Sequence, residues 1–431
     1  MEITCLKLND LTESVCENNF KVRYMLPNEK AEFINRKNKV IHEHDIIVPS
    51  IHRTRVICPI FFECGGCDFL HIKYDEQLRM KTDLIYKLFL RNNININIQP
   101  IVKNEKPLNY RHKVVASATT KNKKLRLGLY QENSKIILPF LDCYIQDKDA
   151  NDVLRTVEGL LNKYKIPAYD LDKETGMIKH ILIRKSYKSQ KILVVVVTQG
   201  YLLPNAKKIA SELVNSHPRI QTVIQNIHNK KTKLVLLDDE KIIFGRGYIE
   251  DEIDGISFRL SSKSFYQVNP MQMIKLYHLT LDMADIKPDD VVMDTYSGIG
   301  TISLLAAKKA KEVIAIESNL SSHLDAMNNK KNSQMTNISF FNDDVENFIR
   351  NYQGKVDCLI MDPTREGSSE GFLNAVLKLC PKKIIYISCE PRTQVRDMLI
   401  LMKSYVPISL QPVDMFSQTA HVETISLLLL K

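Results

Sequence analysis

The second half of the chain predicts an α/β fold, a doubly wound sheet with helices packed on both of its faces. After Asp289, short apolar segments alternate with longer stretches of helical periodicity. The apolar segments run on without polar interruption, as parallel strands do when helices cover both faces of a sheet. Residues 416–421 are too few for a crossover between the last two strands, so we expect the final strand to be antiparallel. The strands are predicted at 291–294, 313–317, 338–341, 358–362, 384–388, 408–415 and 422–430.

The residues ahead of this region are predicted to form two further domains, because a chain of 431 residues is too long for one ordinary hydrophobic core. Residues 1–50 alternate short apolar and polar pieces, which predicts a small β-barrel. Residues 51–258 have a mixed pattern and form a central domain, and residues 259–431 form the α/β domain. The predicted elements are barrel pieces at Phe20–Tyr24, Ala31–Ile34 and Asp45–Val48, a central helix at 74–91, and central strands at 192–197 and 233–237.

The composition is that of a folded, water-soluble protein. Apolar residues make up 44% of the chain and charged residues 26%, which is normal for globular domains. No apolar run approaches the length of a membrane span, and the best of them, Ile425–Leu430, has the length of a strand. The first residues also lack the basic and apolar pattern of a secretory signal. We therefore expect a cytoplasmic protein with no membrane partner.

The formal net charge of +10 favours a polyanionic partner. Nucleic acid is the commonest partner of this kind, and its phosphates attract a surplus of lysine and arginine. Charge alone is weak evidence, because many AT-rich genomes encode lysine-rich proteins with no such partner. The charge therefore supports a nucleic-acid substrate without identifying one.

Polar side chains follow the ends of most of the predicted parallel strands. Ligands of doubly wound sheets bind beyond these carboxyl ends. An antiparallel last strand begins at the same edge, so the acid at its start lies with these polar side chains. Five acids and a thiol at one edge are more than chance usually supplies, so we expect the functional site there. These residues are Asp294, Glu317, Asp344, Asp362, Glu423 and Cys389.

The segment Asp294–Thr301 joins the first predicted strand of the α/β domain to a helix. Its two glycines allow a tight turn and the close approach of a ligand to the backbone. Glu317 lies 19 residues after Gly298, the spacing at which an acid reaches a ribose diol. A dinucleotide site has a third small residue, glycine or alanine, where this chain has Ser303, and the acidic start of the turn suits a cationic ligand. Both features favour S-adenosylmethionine over NAD, and the alternative is an ordinary strand–helix turn.

Another apolar strand ends in Ser388–Pro391, which contains Cys389. A thiol at a ligand-facing strand end can attack a bound substrate, and an acid at the same edge can act as its base. Taken by itself, a cysteine at a strand end is more often buried than catalytic. These residues alone therefore leave the role of Cys389 open.

Six segments together resemble the RNA uracil-5-methyltransferase family and follow one another in the order of that family. The resemblance covers nearly the whole chain, most strongly residues 51–150 and 255–431. It implies a Rossmann-like, S-adenosylmethionine-dependent methyltransferase domain that methylates C5 of a uracil in structured RNA. It also implies that residues 1–50 are the small RNA-binding barrel of the family. The segments are Phe265–Asn269, Asp294–Thr301, Asp362–Gly367, Ser388–Pro391, Gln411–Phe416 and His421–Thr424.

The resemblance also implies roles for individual residues. Cys389 is the nucleophile that adds to C6 of the uracil, and Glu423 accepts the proton that C5 loses after methylation. Asp344 is a further candidate, for the adenine end of the cofactor. Phe265 either stacks on an extruded base or packs in the core. The residues implied to line the cofactor site are Gln267, Tyr296, Glu317 and Asp362.

Two positions depart from the pattern of the family. Thr364 stands where the family usually has proline, and Glu390 stands where it usually has asparagine. Thr364 is expected to be harmless. Glu390 follows the nucleophile directly and would raise the pKa of its thiol if the carboxylate pointed that way.

The nine cysteines are not expected to form disulfides in a cytoplasmic protein. Three of them cluster and a fourth lies far downstream, enough for one tetrahedral metal or a cubane cluster, and this spacing favours iron–sulfur over zinc. The resemblance implies a [4Fe–4S] cluster in a structural or RNA-docking role. Cys358 and Cys380 lie in apolar segments and are predicted to pack in the core. The implied ligands are Cys58, Cys64, Cys67 and Cys143.

The cysteine set also bears on the substrate. Within the family it resembles the ribosomal enzymes, whereas bacterial relatives that modify the T-loop of transfer RNA generally lack it. The expected substrate is therefore a uridine of 23S ribosomal RNA, bound by a monomer with no obligate protein partner. Arg111 and Lys113 either contact phosphates or are ordinary surface charges. The alternatives are a transfer-RNA uracil-5-methyltransferase, a non-catalytic iron–sulfur RNA-binding protein, and a methyltransferase for a small molecule or a protein.

Overall fold

The computed structural model describes residues 1–9, 13–33, 39–232 and 234–431. The N-terminal residues form five strands and two single-turn 3-10 helices, at Glu17–Asn19 and Glu43–Asp45. The strands are β1 (Glu2–Leu8), β2 (Ser14–Cys16), β3 (Lys21–Val22), β4 (Lys30–Glu32) and β5 (Ile46–Val48). They form one antiparallel sheet in the order β3-β2-β1-β4-β5.

The sequence pattern predicts three of these strands, β3, β4 and β5, and misses β1 and β2. In β1 the buried residues Ile3 and Cys5 alternate with more exposed ones, but Leu6 is exposed as well. That apolar residue on the solvent side hides the alternation on which a strand prediction depends. Ile34, at the end of one predicted piece, lies outside the described residues. Closure of the sheet into a barrel stays a prediction.

The central part of the chain forms a seven-stranded sheet with helices on one side. The elements of this part of the chain are α1 (Tyr74–Arg91), β6 (Asn97–Ile98), β7 (Lys113–Lys121), β8 (Lys124–Tyr130), β9 (Ile137–Pro139), α2 (Lys148–Lys163), β10 (Ile178–Lys185), β11 (Ile192–Thr198), α3 (Ala206–Ser216), β12 (Ile220–Ile227) and β13 (Glu240–Gly245). The sheet has the order β13-β12-β11-β10-β7-β8-β9, and only β11 and β12 are parallel. α2 begins after Asp147, whose side chain accepts the backbone N–H of Ala150 at 3.2 Å.

Strand β11 is buried along its whole length because both of its faces are covered. Val194 and Val196 pack with α2 and α3, whereas Val195 and Val197 pack with residues of the α/β domain. Each buried valine contributes roughly 1.5–3 kcal/mol to stability. The central sheet is therefore held firmly against the α/β domain.

The helix predicted at 74–91 and the strand predicted at 192–197 are confirmed by α1 and β11. The strand predicted at 233–237 is wrong. Lys233 lies outside the described residues, and Leu234–Leu237 lie in the loop before β13. Their backbone bonds go to side chains: His228 Nε2 donates to the carbonyl of Leu234 at 2.8 Å, and the N–H of Leu237 donates to Asn226 at 3.0 Å. Such bonds replace a strand ladder, so an apolar pattern alone misled the prediction.

The remaining residues form a hairpin and then the α/β domain. The hairpin is β14 (Tyr248–Ile253) and β15 (Ile256–Ser261). The helices that follow are α4 (Pro270–Ala284), α5 (Thr301–Ala307), α6 (Leu320–Ser333), α7 (Val345–Asn351), α8 (Glu370–Leu379) and α9 (Pro391–Leu401). The strands are β16 (Val291–Thr295), β17 (Glu312–Ile316), β18 (Ile338–Phe341), β19 (Cys358–Met361), β20 (Lys383–Ser388), β21 (Tyr405–Val413) and β22 (Glu423–Leu430).

Together with β6, these seven strands form an eight-stranded sheet in the order β18-β17-β16-β19-β20-β22-β21-β6. β16 to β20 are parallel, and β22 is antiparallel to both β20 and β21. The α/β sheet and its antiparallel last strand are therefore confirmed. The edge strand β6 precedes the central sheet in the chain and pairs with β21. The division of the chain at residues 50 and 258 stays a prediction.

Both faces of the α/β sheet are covered, as continuous apolar strands require. Residues of α4, α5 and α6 pack on one face, and residues of α1, α7, α8 and α9 pack on the other. Cys358 is buried in β19 as predicted, but the prediction for Cys380 is wrong. Cys380 follows the last residue of α8, takes a left-handed conformation with φ 57° and is exposed. The helix ends one residue before it, so its side chain does not reach the core.

None of the helices in the described part of the chain has both the length and the apolar character that crossing a membrane requires.

Candidate active site

Cys389 and Glu423 lie next to each other at the carboxyl edge of the parallel strands. Ser388 and Thr424 are direct partners in the antiparallel pairing of β20 with β22. Cys389 follows Ser388, and Glu423 precedes Thr424 at the start of β22. Residues opposite each other on paired strands direct their side chains to the same face. The register therefore brings the thiol and the carboxyl group together.

Burial and negative charge favour the protonated form of both groups. Burial, and then the charge of Asp362, raises the pKa of the Glu423 carboxyl to about 8, since only 2% of this residue is exposed. Burial, and then the charges of Glu423 and Asp362, raise the pKa of the Cys389 thiol to about 12. The Arg365 guanidinium opposes both shifts. A carboxyl group with a pKa near neutrality is suited to taking up and releasing a proton.

A series of acidic side chains continues from this pair toward the glycine turn. Burial, and then the charge of Asp294, raises the pKa of Asp362 to about 7. Burial raises the pKa of Asp294 to about 7 as well; a hydrogen bond from Ser303 lowers it, and the charge of Glu317 raises it. Four of the five acids predicted at this edge, Asp294, Glu317, Asp362 and Glu423, are thus neighbours in the structure. Together they favour a cation, because a positive charge would stabilise their ionised forms.

The glycine turn between β16 and α5 contains three left-handed residues, Tyr296 at φ 62° and two glycines. Gly298, at φ 57°, donates its backbone N–H to Glu317 Oε2 at 2.9 Å. Gly300, at φ 80°, lies so close to Phe340 that a Cβ atom would come within 2.5 Å of its ring. No other residue fits there without a shift. Open space above Gly298 leaves room for a ligand against the backbone.

The other predicted cofactor residues are Tyr296, Asp344 and Gln267. The hydroxyl of Tyr296 donates to Ser368 Oγ at 3.2 Å, and its pKa is raised to about 12 by burial, with a smaller contribution from Asp344. Asp344 is exposed and caps α7 by accepting two backbone N–H groups at 3.0 Å. Gln267 is buried in the loop between β15 and α4. Among the described residues, no hydrogen bond or ion pair joins Gln267 to the other candidates.

Two residues near the nucleophile refine the sequence interpretation. Glu390 is the N-cap of α9 and accepts the backbone N–H of Arg392 at 3.3 Å. The charges with the largest effect on Cys389 belong to Glu423 and Asp362 instead. Thr364 is exposed, and its carbonyl closes a turn with Gly367. Both departures from the family pattern are therefore accommodated locally.

Sequence reasoning gave no role to Arg365. Its charge lowers the pKa of both Cys389 and Glu423, so the guanidinium lies close enough to act on both. The available signal was an arginine three residues after Asp362, in the loop that follows a ligand-facing strand. Phe265 is 62% exposed, which excludes core packing and leaves the stacking hypothesis.

The connection between β21 and β22 is fixed by buried polar groups. Asp414 forms an ion pair with Lys81 of α1, which also donates to the carbonyl of Phe416 at 3.1 Å. The hydroxyl groups of Tyr74 and Ser417 each donate to Asp414 Oδ2 at 2.6 Å. Because this connection leads directly into Glu423, these bonds determine where β22 begins.

The four predicted cluster ligands line one cavity of about 340 Å³. Arg111 and Lys113 line it as well, and burial lowers the pKa of Lys113 to about 7. Lys113 is therefore not an ordinary surface charge. In the described part of the chain, no three His, Cys, Asp or Glu side chains converge closely enough to hold a metal ion. The four cysteines thus share a cavity without forming a close-set group of ligands for a single ion.

Backbone N–H groups are directed at three of these thiols. Burial raises the pKa of all four, to about 11 for Cys64. Nearby amides lower the pKa of Cys58, Cys64 and Cys143, and the Arg111 cation lowers that of Cys67 and Cys143. The amides belong to Ile60 and Phe61 for Cys58, Gly66 for Cys64, and Ile145 and Gln146 for Cys143. N–H groups and the Arg111 cation stabilise thiolates, which are the form that binds metal.

The family model for tRNA (uracil-5-)-methyltransferases matches residues 74–431. An uncharacterized RNA methyltransferase from Oceanobacillus iheyensis is 36% identical over 418 residues, which is 94% of this chain and 91% of the relative. Another from Clostridium tetani is 34% identical over 400 residues, covering 92% and 87%. Among solved structures, the fold matches that of Pyrococcus abyssi tRNA (uracil-54, C5)-methyltransferase in complex with S-adenosyl-L-homocysteine. That match has a TM-score of 0.80 and 21% identity, and covers all of both chains.

The matched family model covers most of the chain, including the whole α/β domain with Cys389 and Glu423. The relatives match at more than 30% identity over nearly their full length. The chain therefore belongs to the tRNA (uracil-5-)-methyltransferase family and is an RNA methyltransferase.

Proposed function

We propose that this protein methylates C5 of a uridine in RNA with Cys389 as the nucleophile and Glu423 as the base. The observation that carries the proposal is the pairing of β20 with β22, which brings this thiol and this carboxyl group together at the ligand-binding edge. Uracil C5 is a poor nucleophile, so the reaction needs both groups on one face of the base. A methyltransferase for a small molecule or a protein has no need of such a pair.

The proposed steps use the chain's residues in a fixed order. The Cys389 sulfur adds to C6 of the uracil, which makes C5 enolate-like and nucleophilic. S-adenosylmethionine supplies the methyl group that C5 takes up. Glu423 then removes the proton from C5, and the C5–C6 double bond re-forms as the thiolate leaves. Arg365 favours the ionised form of both groups, which each must reach during the cycle.

We propose that the cofactor occupies the acidic edge beside this pair. Asp362 and Asp294 would hold the positive charge of the cofactor, because a cation relieves their mutual repulsion. Glu317 would bind the ribose, and Tyr296 and Gln267 would line the site, with Asp344 toward the adenine. The raised pKa values of the two aspartates support this placement, since acids of this kind favour a cationic ligand.

We also propose that Cys58, Cys64, Cys67 and Cys143 hold a [4Fe–4S] cluster. The shared cavity, the amides directed at the thiols and the Arg111 cation fit such a group. The cluster supplies no step of methyl transfer here and ties distant parts of the central domain together. We interpret the N-terminal sheet as a barrel and the central domain as an RNA-binding surface. Together they would extend the face on which RNA lies.

We propose 23S ribosomal RNA as the substrate, bound by a monomeric enzyme. The four-cysteine cavity supports this choice, because the cysteine set resembles that of the ribosomal enzymes of the family. Transfer RNA is the second candidate, since the family description names it. The net charge of +10 serves either substrate, because phosphate contacts carry no sequence information.

The test offers labelled S-adenosylmethionine together with unmodified 23S ribosomal RNA and unmodified transfer RNA at equal concentration. Label recovered as 5-methyluridine, mainly from the ribosomal RNA, is the expected result. Preferential methylation of transfer RNA would overturn the substrate assignment but leave the chemistry intact. Absence of 5-methyluridine from both would overturn the proposed reaction and favour a non-catalytic RNA-binding protein.

A further inference from the structure

The cysteine loop, residues 58–67, ends against the connection between β21 and β22. Asp68 and Phe69 follow the last cysteine of the loop directly, and both of their backbone N–H groups donate to the carbonyl of Gln418 at 3.0 Å. The Asp68 carboxylate accepts the backbone N–H of Ala420 at 2.8 Å. Asp68 therefore binds the connection at two points, two residues apart.

Gln77 of α1 completes this contact from the other side. Its Nε2 donates to Gln418 Oε1 at 2.9 Å and to the carbonyl of Phe69 at 3.1 Å, and its Oε1 accepts the N–H of Gln418 at 3.1 Å. Gln418 has φ 68°, a left-handed conformation that is unfavourable for a residue with a side chain. A conformation of this kind persists only where its surroundings fix it.

Few residues of the connection separate these contacts from the active site. Ala420 lies only three residues before Glu423, which opens β22. On the same connection, the hydroxyl of Tyr110 donates to the carbonyl of Ser417 at 2.9 Å. The Arg111 guanidinium, which lines the cysteine cavity, lies 6.0 Å from the centre of the Phe416 ring. The cysteine loop and its cavity are thus in contact with the residues that lead to the base.

We propose that Asp68 is a positioning residue for methyl transfer, through which the cysteine loop holds Glu423 in place. This inference rests on the proposed role of Glu423 as the base. Asp68 acts through the connection that leads to Glu423, so its loss slows proton removal from C5 and leaves cofactor binding unchanged. The cysteine loop thereby acquires a part in catalysis without taking part in the chemistry.

Hydrogen–deuterium exchange tests the physical contact in the protein purified without added RNA. Asp68→Ala removes the acceptor for the Ala420 amide, so amides of residues 417–423 exchange roughly tenfold faster. Asp68→Asn keeps an acceptor oxygen and exchanges like the original protein. Glu63→Ala removes an exposed acid of the same loop and also leaves these amides unchanged. Unchanged exchange in Asp68→Ala overturns the proposal, whatever the enzyme methylates.

Kinetics with RNA tests the consequence for catalysis. In Asp68→Ala we expect kcat to fall roughly tenfold, KM for the cofactor to stay within about twofold, and the covalent RNA adduct to accumulate because elimination waits for proton removal. Asp68→Asn restores kcat. Gln77→Ala, which removes the opposite contact, gives the same signature should Asp68→Ala fold poorly. Faster exchange in Asp68→Ala with unchanged kcat overturns the positioning role. Absence of 5-methyluridine from the products of the original protein overturns the proposed reaction instead.

Discussion

At the scale of single residues, the site holds two groups that must each lose a proton during the proposed reaction. Their environment favours the protonated form of both. Burial and neighbouring acids raise the pKa of the Cys389 thiol to about 12 and that of Glu423 to about 8. In the proposed mechanism, the nucleophile is protonated while the site is empty. A cationic cofactor beside Asp362 would lower both pKa values and prepare the thiol when the methyl donor is present. In this mechanism the acids would link activation of the thiol to occupancy of the site.

The first prediction concerns the thiol in Glu423→Gln. Below about pH 7 the original carboxyl is protonated and resembles the amide, so the Cys389 thiol reacts equally in both proteins. As the pH rises through about 8, only the original protein gains a negative charge, which keeps the pKa of its thiol high. Above about pH 8, iodoacetamide should therefore alkylate Cys389 faster in the variant than in the original protein. The ratio of the rates should be about tenfold for each unit by which the pKa values of the two thiols differ.

Mass spectrometry of the Cys389 peptide after timed alkylation gives this rate at each pH. The peptide containing the exposed Cys380 serves as the internal control and should react alike in both proteins. Equal alkylation of Cys389 at all pH values would show that Glu423 does not act on the thiol.

At the scale of elements, the apolar pattern was sufficient for the α/β sheet because both of its faces are buried. The same pattern failed at Leu234–Leu237, where side chains of Asn226 and His228 take the backbone bonds. Sequence also could not reveal which way Glu390 points. That depends on the start of α9, where its carboxylate finds a backbone N–H group. Patterns of burial are thus readable from sequence, whereas the partners of polar groups are set by tertiary contacts.

The candidate site shows the same division. The sequence placed Cys389, Glu423 and the acids at one edge of the sheet, because strand ends can be read from apolar runs. It gave no role to Arg365 and did not reveal the ion pair of Lys81 with Asp414, whose partners are far apart in the chain. Long-range polar pairs leave no periodic signal. The sequence therefore showed the connection leading to Glu423 as a motif, but it did not show the contacts that hold this connection in place.

The second prediction concerns this ion pair. Lys81→Met leaves Asp414 buried with only hydroxyl donors, so the free energy of unfolding should fall by about 3–5 kcal/mol. Lys87→Met on the same helix removes an exposed lysine and should change it by less than about 0.5 kcal/mol. Urea unfolding measures both variants. Equal stability of the two would contradict a supporting role for the ion pair.

At the scale of the whole molecule, the central sheet joins the cysteine cavity to the α/β domain. β11 is buried between its own helices and the α/β domain, and β6 extends the eight-stranded sheet. Cys143 lies beyond the first two long strands of the central sheet, whereas the other three cysteines precede α1. A cluster bound by all four would cross-link these regions, much as a structural metal does.

The third prediction follows from this cross-link. Protein purified without oxygen should be brown and contain about four irons per chain. Cys143→Ser should lose most of the iron and melt at a lower temperature, whereas Cys380→Ser, which changes an exposed thiol outside the cavity, should keep both properties. Iron analysis and thermal unfolding measure the outcome. Stoichiometric zinc without iron would contradict the cluster.

The central claim is that Cys389 forms a covalent bond to the uracil and that Glu423 removes the C5 proton, which allows this bond to break. The most direct measurement is a denaturing gel of each variant after incubation with S-adenosylmethionine and unmodified RNA. Glu423→Gln should give a slowly migrating protein–RNA band, because elimination fails after methylation, and Cys389→Ala should give neither this band nor 5-methyluridine. Substantial methylation by Cys389→Ala, or no band from folded Glu423→Gln, would contradict the account.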